Sequence, residues 1–315
     1  FRRASRYAHR SFQIREQFGD LWGQAQTQHF HGVAMYAASR FGECIEICRE
    51  AIRLFDRTGD FWELNMARYQ LAASFYGLGD LAAASQEAWK MHASGLELGD
   101  VQASGLSICL VSKANCGRVP QEIVQAELDR PRGADSQTTS QVWQAEGLRR
   151  QATGDFLAAA DAFQRGWDIA RRGGIYNTYV VTCLPGLAGA LRREAARIQP
   201  TDAAAGRRLL KRARRAVRRG LRLARRFQND LPHCLREAGL VAAAQGRRRT
   251  ARRYFQKSLQ VADSQGARYE HAQTSLALAE LDRQLGKPGA DQRIAAAEAA
   301  IADLERPVKE NSRVG

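Results

Sequence analysis

Long apolar runs are missing from this chain. None of its 315 residues belongs to a stretch of the twenty or so apolar positions that a bilayer-crossing helix needs. Nor does a cationic leader precede an apolar core, so secretion finds no support. The nucleophile and phosphate motifs are missing too: there is no Gly-x-x-x-x-Gly-Lys-Ser/Thr loop, no Gly-x-Ser-x-Gly and no His-Glu-x-x-His. His29 and His31, two apart, would point in different directions on a helix, and the other histidines stand alone. Cys-x-x-Cys is also absent. Six cysteines (Cys44, Cys48, Cys109, Cys116, Cys183, Cys234) are scattered, which fits a reducing cytoplasm. These gaps remove the usual routes to catalysis, so the chain is expected to be no enzyme and to need neither metal nor cofactor.

What the chain does contain is a repeated spacing rule. Gly147, Gly154, Ala159, Phe163 and Gly166 follow one another at intervals of seven, five, four and three. The ladder returns as Gly32, Ser39, Cys44, Cys48 and Ala51. Ala72, Gly79, Ala84, Ala88 and Met91 repeat it, as do Gly239, Gly246, Ala251, Phe255 and Ser258. Apolar residues on both sides of the second marker keep helical spacing, so each unit divides there into two helices. A small first marker lets the second helix approach. The second marker, glycine in three of the four copies, suits the left-handed residue that ends a helix. The last three markers share one face of the second helix. One such pair cannot bury its stripe alone, so neighbours must stack. Cys44 and Cys48 could hold a metal or a thiol switch, yet they fill ladder slots and read as small core hydrophobes.

This ladder resembles the tetratricopeptide repeat (TPR), over roughly residues 20–300. The resemblance implies an all-α fold, a right-handed α-solenoid of about seven helix–turn–helix units. Cys48 and Ala88 depart from the family's aromatic plug, and neighbours are expected to fill that space. Gly-Asp pairs at 19–20, 59–60 and 99–100 mark unit junctions, with Asp20 and Asp60 as helix caps. Residues 1–18 read as a basic partial-repeat helix and 19–305 as the solenoid, with a polar tail or linker at 306–315 after Pro307. Phe1 falls in mid-helix and there is no initiator methionine, so the chain is expected to be a piece of something longer. Unit 100–135 is degenerate and is the expected place for a bend. Pro185 should kink or delay the fifth unit's first helix. A long basic helix is expected over about 201–227.

Two surfaces are candidates for function. Carrying the family's groove positions over by ladder register gives Gln26, His29, Val33 and Tyr36, then Met66, Tyr69, Ala73 and Tyr76, then Gln141, Gln144, Leu148 and Gln151. That lining suits a peptide with apolar anchors, unless the tyrosines pack between helices instead. The other surface is charge. Residues 201–260 hold eighteen Lys and Arg against three Asp and Glu, while the rest of the chain balances at thirty against thirty; the net +15 therefore sits in one place. Arg207, Arg208, Lys211, Arg214, Arg215, Arg218, Arg219 and Arg222 fan opposite an apolar stripe of Leu209, Leu210, Ala213, Val217, Leu221 and Ala224. Arg248 and Arg252 extend the theme one unit later. Such a face is either merely solvated or awaits an acidic protein, an anionic surface or nucleic acid. The resemblance also extends to the helical arrays of large bacterial signalling regulators, such as maltose-type activators and ATPase-linked kinases or cyclases. It implies a non-catalytic interaction and regulatory module whose partner is a protein, a peptide or a neighbouring domain.

Overall fold

The computed structural model describes residues 1–306, which form fifteen α-helices and a short 3₁₀ turn at Gln228–Asp230; no strand occurs among the described residues. Pro307 and the tail behind it lie outside the described residues. Helix α1 (Arg2–Gln17) stands before seven hairpins. These are α2 (Leu21–Ala37) with α3 (Phe41–Thr58), α4 (Phe61–Leu78) with α5 (Leu81–Leu98), and α6 (Val101–Ala114) with α7 (Gln121–Asp129). The rest are α8 (Ser136–Ala152) with α9 (Phe156–Arg172), α10 (Cys183–Ile198) with α11 (Ala203–Ala224), α12 (Leu231–Ala244) with α13 (Arg248–Gln265), and α14 (Arg268–Gln284) with α15 (Ala290–Leu304).

Local chemistry sets the helix ends. Asp20 accepts a hydrogen bond from the Gly23 backbone N–H at 2.8 Å, Asp60 from Glu63 at 3.1 Å and Asp100 from Ala103 at 3.0 Å. Each such cap is worth about 1 kcal/mol. Ser39 shows that the second marker is a backbone requirement: without being glycine it still takes φ +58°, at some steric cost.

The ladder explains the packing inside each hairpin. A Cβ on Gly147 would lie 2.8 Å from the Phe163 ring, so the small marker exists to admit the aromatic plug. Phe163 and Phe255 are fully buried, contributing about 1.5–3 kcal/mol each. Where the plug is Cys48, its Sγ occupies the same place, 2.5 Å from where a Gly32 Cβ would be. Ile47, Phe75 and Leu78 fill in around it. Cys44 and Cys48 are thus core residues, their sulfurs 3.7 Å apart.

Departures from the ladder have local causes. Helix α7 has nine residues, and the chain returns through Arg132, which donates to the Val101 carbonyl and pairs with the buried Glu127. Pro185 delays α10 rather than kinking it: the proline is the third residue of the helix, and turns precede it from 173 to 182. Helix α11 is shorter than expected. It starts behind Asp202, which caps Ala205 at 2.8 Å, and ends at Ala224. Beyond it the backbone tightens, Arg226 N–H bonding to the Leu223 carbonyl, so that Phe227 can pack beside Val181 and Cys234.

The first helices α2, α4, α6, α8, α10, α12 and α14 lie side by side as an inner layer, with the second helices outside. The second helices α3, α9, α11 and α13 are apolar on one face, whereas α4 and α6 are buried on most sides. The array bends until its two halves touch. The Asn229 amide donates to the Tyr36 carbonyl at 2.7 Å, Arg268 to the Leu78 carbonyl at 3.2 Å, and Arg118 pairs with Glu305 at 3.0 Å. At Gly79 (φ +81°) a Cβ would come within 2.6 Å of the Tyr269 backbone nitrogen, so this contact admits only glycine.

Candidate functional site

The N-terminal part of the expected groove is filled by the chain's own connecting segment. Tyr179, between α9 and α10, lies parallel to Tyr36 with ring centroids 5.6 Å apart and tilts onto Tyr69 at 5.5 Å. The Gln70 amide donates to its hydroxyl at 2.9 Å, and Gln144 donates to its backbone carbonyl at 3.1 Å. Tyr69 in turn donates to Gln141 at 2.7 Å. Around Tyr179, then, Tyr36, Tyr69 and Gln141 pack between helices, and Met66 joins the same apolar cluster. His29 is buried, stacked on Phe30 and 3.3 Å from Glu63. Loss of hydration is the main cause lowering its pKa, with Glu63 opposing. Gln26 is half-buried on the same helix. For six of the nine groove candidates (Gln26, His29, Tyr36, Met66, Tyr69 and Gln141), packing is what the geometry offers.

The remaining three, Tyr76, Gln144 and Gln151, line a hollow of about 180 Å³ enclosed by α4, α6, α8, α10, α12 and α14. Its charged walls are ordered. Glu237 receives Arg192 at 3.2 Å and Arg236 at 3.5 Å, and Arg236 also reaches Glu270 at 3.1 Å. Burial by itself would raise the Glu237 carboxyl, but Arg192 and Arg236 outweigh it and hold the pKa at about 2. Burial lowers the pKa of His233 and keeps the ring neutral at pH 7.

Two cations lining this hollow, Lys113 and Arg193, lack an ionic partner among the described residues, and so does Asp230 at the start of α12. Lys113 sits 5.9 Å over the Tyr76 ring, and Arg193 sits 5.9 Å over Phe156. Asp230 stands at the α12 N-cap position yet accepts no capping bond. Lost hydration raises its carboxyl to about 6, while Lys113 pulls the other way. Arg193 is open to solvent at the rim but hemmed in by protein, and desolvation is the largest cause depressing its guanidinium pKa. Unpaired charge in a hollow of this kind can hold complementary groups of a ligand.

The groove register of the earlier units extends to His233 and Arg236 of this hollow. Three and six residues before Gly239 stand Arg236 and His233, the same offsets that give Tyr69 and Met66 from Ala72. Asp230 carried no such signal: as an aspartate before a helix it reads as a cap.

The arginine face lies on the outside. Arg207, Arg208, Lys211, Arg215, Arg218, Arg219, Arg222 and Arg248 are exposed, and Arg214 is half-buried. Among the described residues, only Arg208 of α11 finds a carboxylate, Asp202 at 4.0 Å. Arg219 lies 4.9 Å over the Trp167 ring of α9. Arg252 differs from the rest: it is half-buried and paired with Asp282. Inward, Leu210, Ala213, Val217 and Ala224 are buried and Leu209 and Leu221 half-buried, as the stripe requires.

No helix among the described residues is long and apolar enough to cross a membrane. No family model matches the chain, and no curated protein does. Solved structures do. A Rap protein complexed with competence and sporulation factor is 12% identical with TM-score 0.66, over 90% of this chain and 76% of that one. The Rap conjugation gene regulator of plasmid pLS20, in complex with the Phr* peptide, is 13% identical with TM-score 0.65, over 91% and 76%. At such identities the likeness concerns the fold. The chain is a TPR-like helical repeat array, an all-α solenoid.

Proposed function

We propose that this chain is a non-catalytic recognition module that takes a segment of a protein partner, or a peptide, into the inner hollow. The observation carrying this reading is the pair Lys113 and Arg193, cations without ionic partners among the described residues that line a space walled by six of the seven first helices. Both Rap neighbours, whose fold this chain shares, are described as complexes, one of them with a peptide. A volume of about 180 Å³ is below that of a drug-sized pocket, so it fits one or two side chains of a longer segment. A ligand there touches α4 and α6 from one half and α10, α12 and α14 from the other. It therefore biases how the halves close, and that is the regulatory output. In a larger signalling ATPase or kinase such a bias would restrain or release the neighbouring domain.

The test is selection of binders from a displayed random-peptide library, followed by calorimetry on Tyr76→Ala and Gln151→Ala. The reading expects at least a tenfold loss of affinity for each variant. Selected peptides that bind both variants as tightly as the wild type would remove the hollow from consideration.

A further inference from the structure

The outer face of α11 has a separate use. On a helical projection, Arg207, Lys211, Arg215, Arg218 and Arg222 form one continuous stripe, opposite the buried Leu210, Ala213, Val217 and Gly220. From Arg207 to Arg222 the stripe runs about 22 Å along the axis. None of these five cations has a carboxylate within ion-pair distance among the described residues, and the next outer helix adds exposed Arg248, Arg249 and Arg253. Close like charges on one helix repel, so a polyanion laid along the stripe removes a standing cost.

We propose that this stripe binds the sugar–phosphate backbone of double-stranded nucleic acid without reading base sequence. Three observations select that partner. The stripe is four arginines and one lysine, and arginine's planar fork suits phosphate oxygens. It carries no exposed large apolar side chain: the large exposed hydrophobics lie on other helices or in loops. An acidic protein partner would want an apolar anchor at its centre, and a membrane-surface helix must insert an apolar face, which α11 keeps inside the array. The axial length faces about six base pairs of duplex, so contact with about five phosphates is in reach.

The experiment is fluorescence anisotropy of a labelled 20-base-pair duplex of arbitrary sequence, titrated with the whole chain from 50 to 300 mM NaCl. Saturable binding is expected, with log K falling linearly with log salt at a slope near −4 to −5. The variant Lys211→Gln/Arg215→Gln/Arg218→Gln/Arg222→Gln should lose at least ~100-fold at 50 mM, and the slope should flatten by about 3 to 4. A control of equal net charge, Arg3→Gln/Arg6→Gln/Arg10→Gln/Arg57→Gln, should bind nearly as the wild type. Circular dichroism should give the same melting curve for all three chains. The proposal fails if no saturable binding appears at 50 mM, or if both variants lose equally, which would mean that net charge alone attracts the duplex. It also fails if phosphatidylserine vesicles or polyglutamate compete as well as unlabelled duplex at equal charge. Gln151→Ala, which alters the hollow, should leave this titration unchanged.

Discussion

The inner and outer faces of the array treat arginine in opposite ways. Inside, Arg192 and Arg236 are held by Glu237 and Glu270 in a network with little solvent. Outside, α11 carries its cations with a single distant aspartate for company among the described residues. The outer charges dominate the composition and contribute little to folding, since exposed charges are screened and hydrated. Those inside are few and hold together helices of different units. Net charge therefore points to a surface, and burial points to the parts that set the shape.

The comparison can be broken most severely from within. Glu237→Ala strands Arg192 and leaves Arg236 with Glu270 alone in a place with little solvent, and is expected to lower stability by about 3–5 kcal/mol in urea unfolding. A loss below about 1 kcal/mol would show that the network is not buried as described. The pH dependence has a definite sign. The folded Glu237 carboxyl titrates near 2, below its ordinary value of 4.5. Its contribution is present above about pH 4.5 and disappears as pH falls toward 2.

Tyr179→Ala removes the ring that joins Tyr36 to Tyr69 and leaves Gln70 without its partner. A loss of about 3 kcal/mol is expected, together with opening of the N-terminal part of the groove; enhanced cleavage at residues 173–182 by a nonspecific protease would report that opening. Unchanged unfolding would mean that the segment merely rests there.

Asp230 sharpens the contrast, because it is a half-buried carboxylate with no ionic partner among the described residues. Its folded pKa, about 6, is above the ordinary 3.8, so the native state binds protons more tightly than the unfolded chain. Stability from this group is fully present below about pH 4 and falls as pH rises through 6. Asp230→Asn should therefore stabilise the chain at pH 7 by about 3 kcal/mol and change little at pH 4. Equal effects at both pH values would refute the assignment.

The smallest effect belongs outside. Neutralising Lys211, Arg215, Arg218 and Arg222 to Gln should alter stability by no more than about 0.5 kcal/mol, upward at low salt and nil at 0.5 M. A destabilisation beyond 1 kcal/mol would give the stripe a structural role.

The hairpins could be read from the chain because each depends on local spacing. Gly147 and Phe163 lie sixteen apart and specify one another, and Asp20, Asp60 and Asp100 announce the helices they cap. The hollow was harder to see because it depends on the pitch of the whole array, which brings Tyr36 to Asn229 across 193 residues. No pattern short enough to recognise encodes that meeting. Tyr179 was hidden for a related reason: it belongs to a connection, where the ladder has no markers. Arg252 was assigned to the basic patch by its neighbours in sequence, whereas Asp282, thirty residues on, decides its position.

Amide hydrogen exchange, with and without a peptide selected for binding, tests the central claim most directly. The account predicts slowed exchange in α6, α10 and α12 around Lys113, Arg193 and His233, with α11 unchanged. Protection confined to α11, or to the outer helices generally, would contradict it.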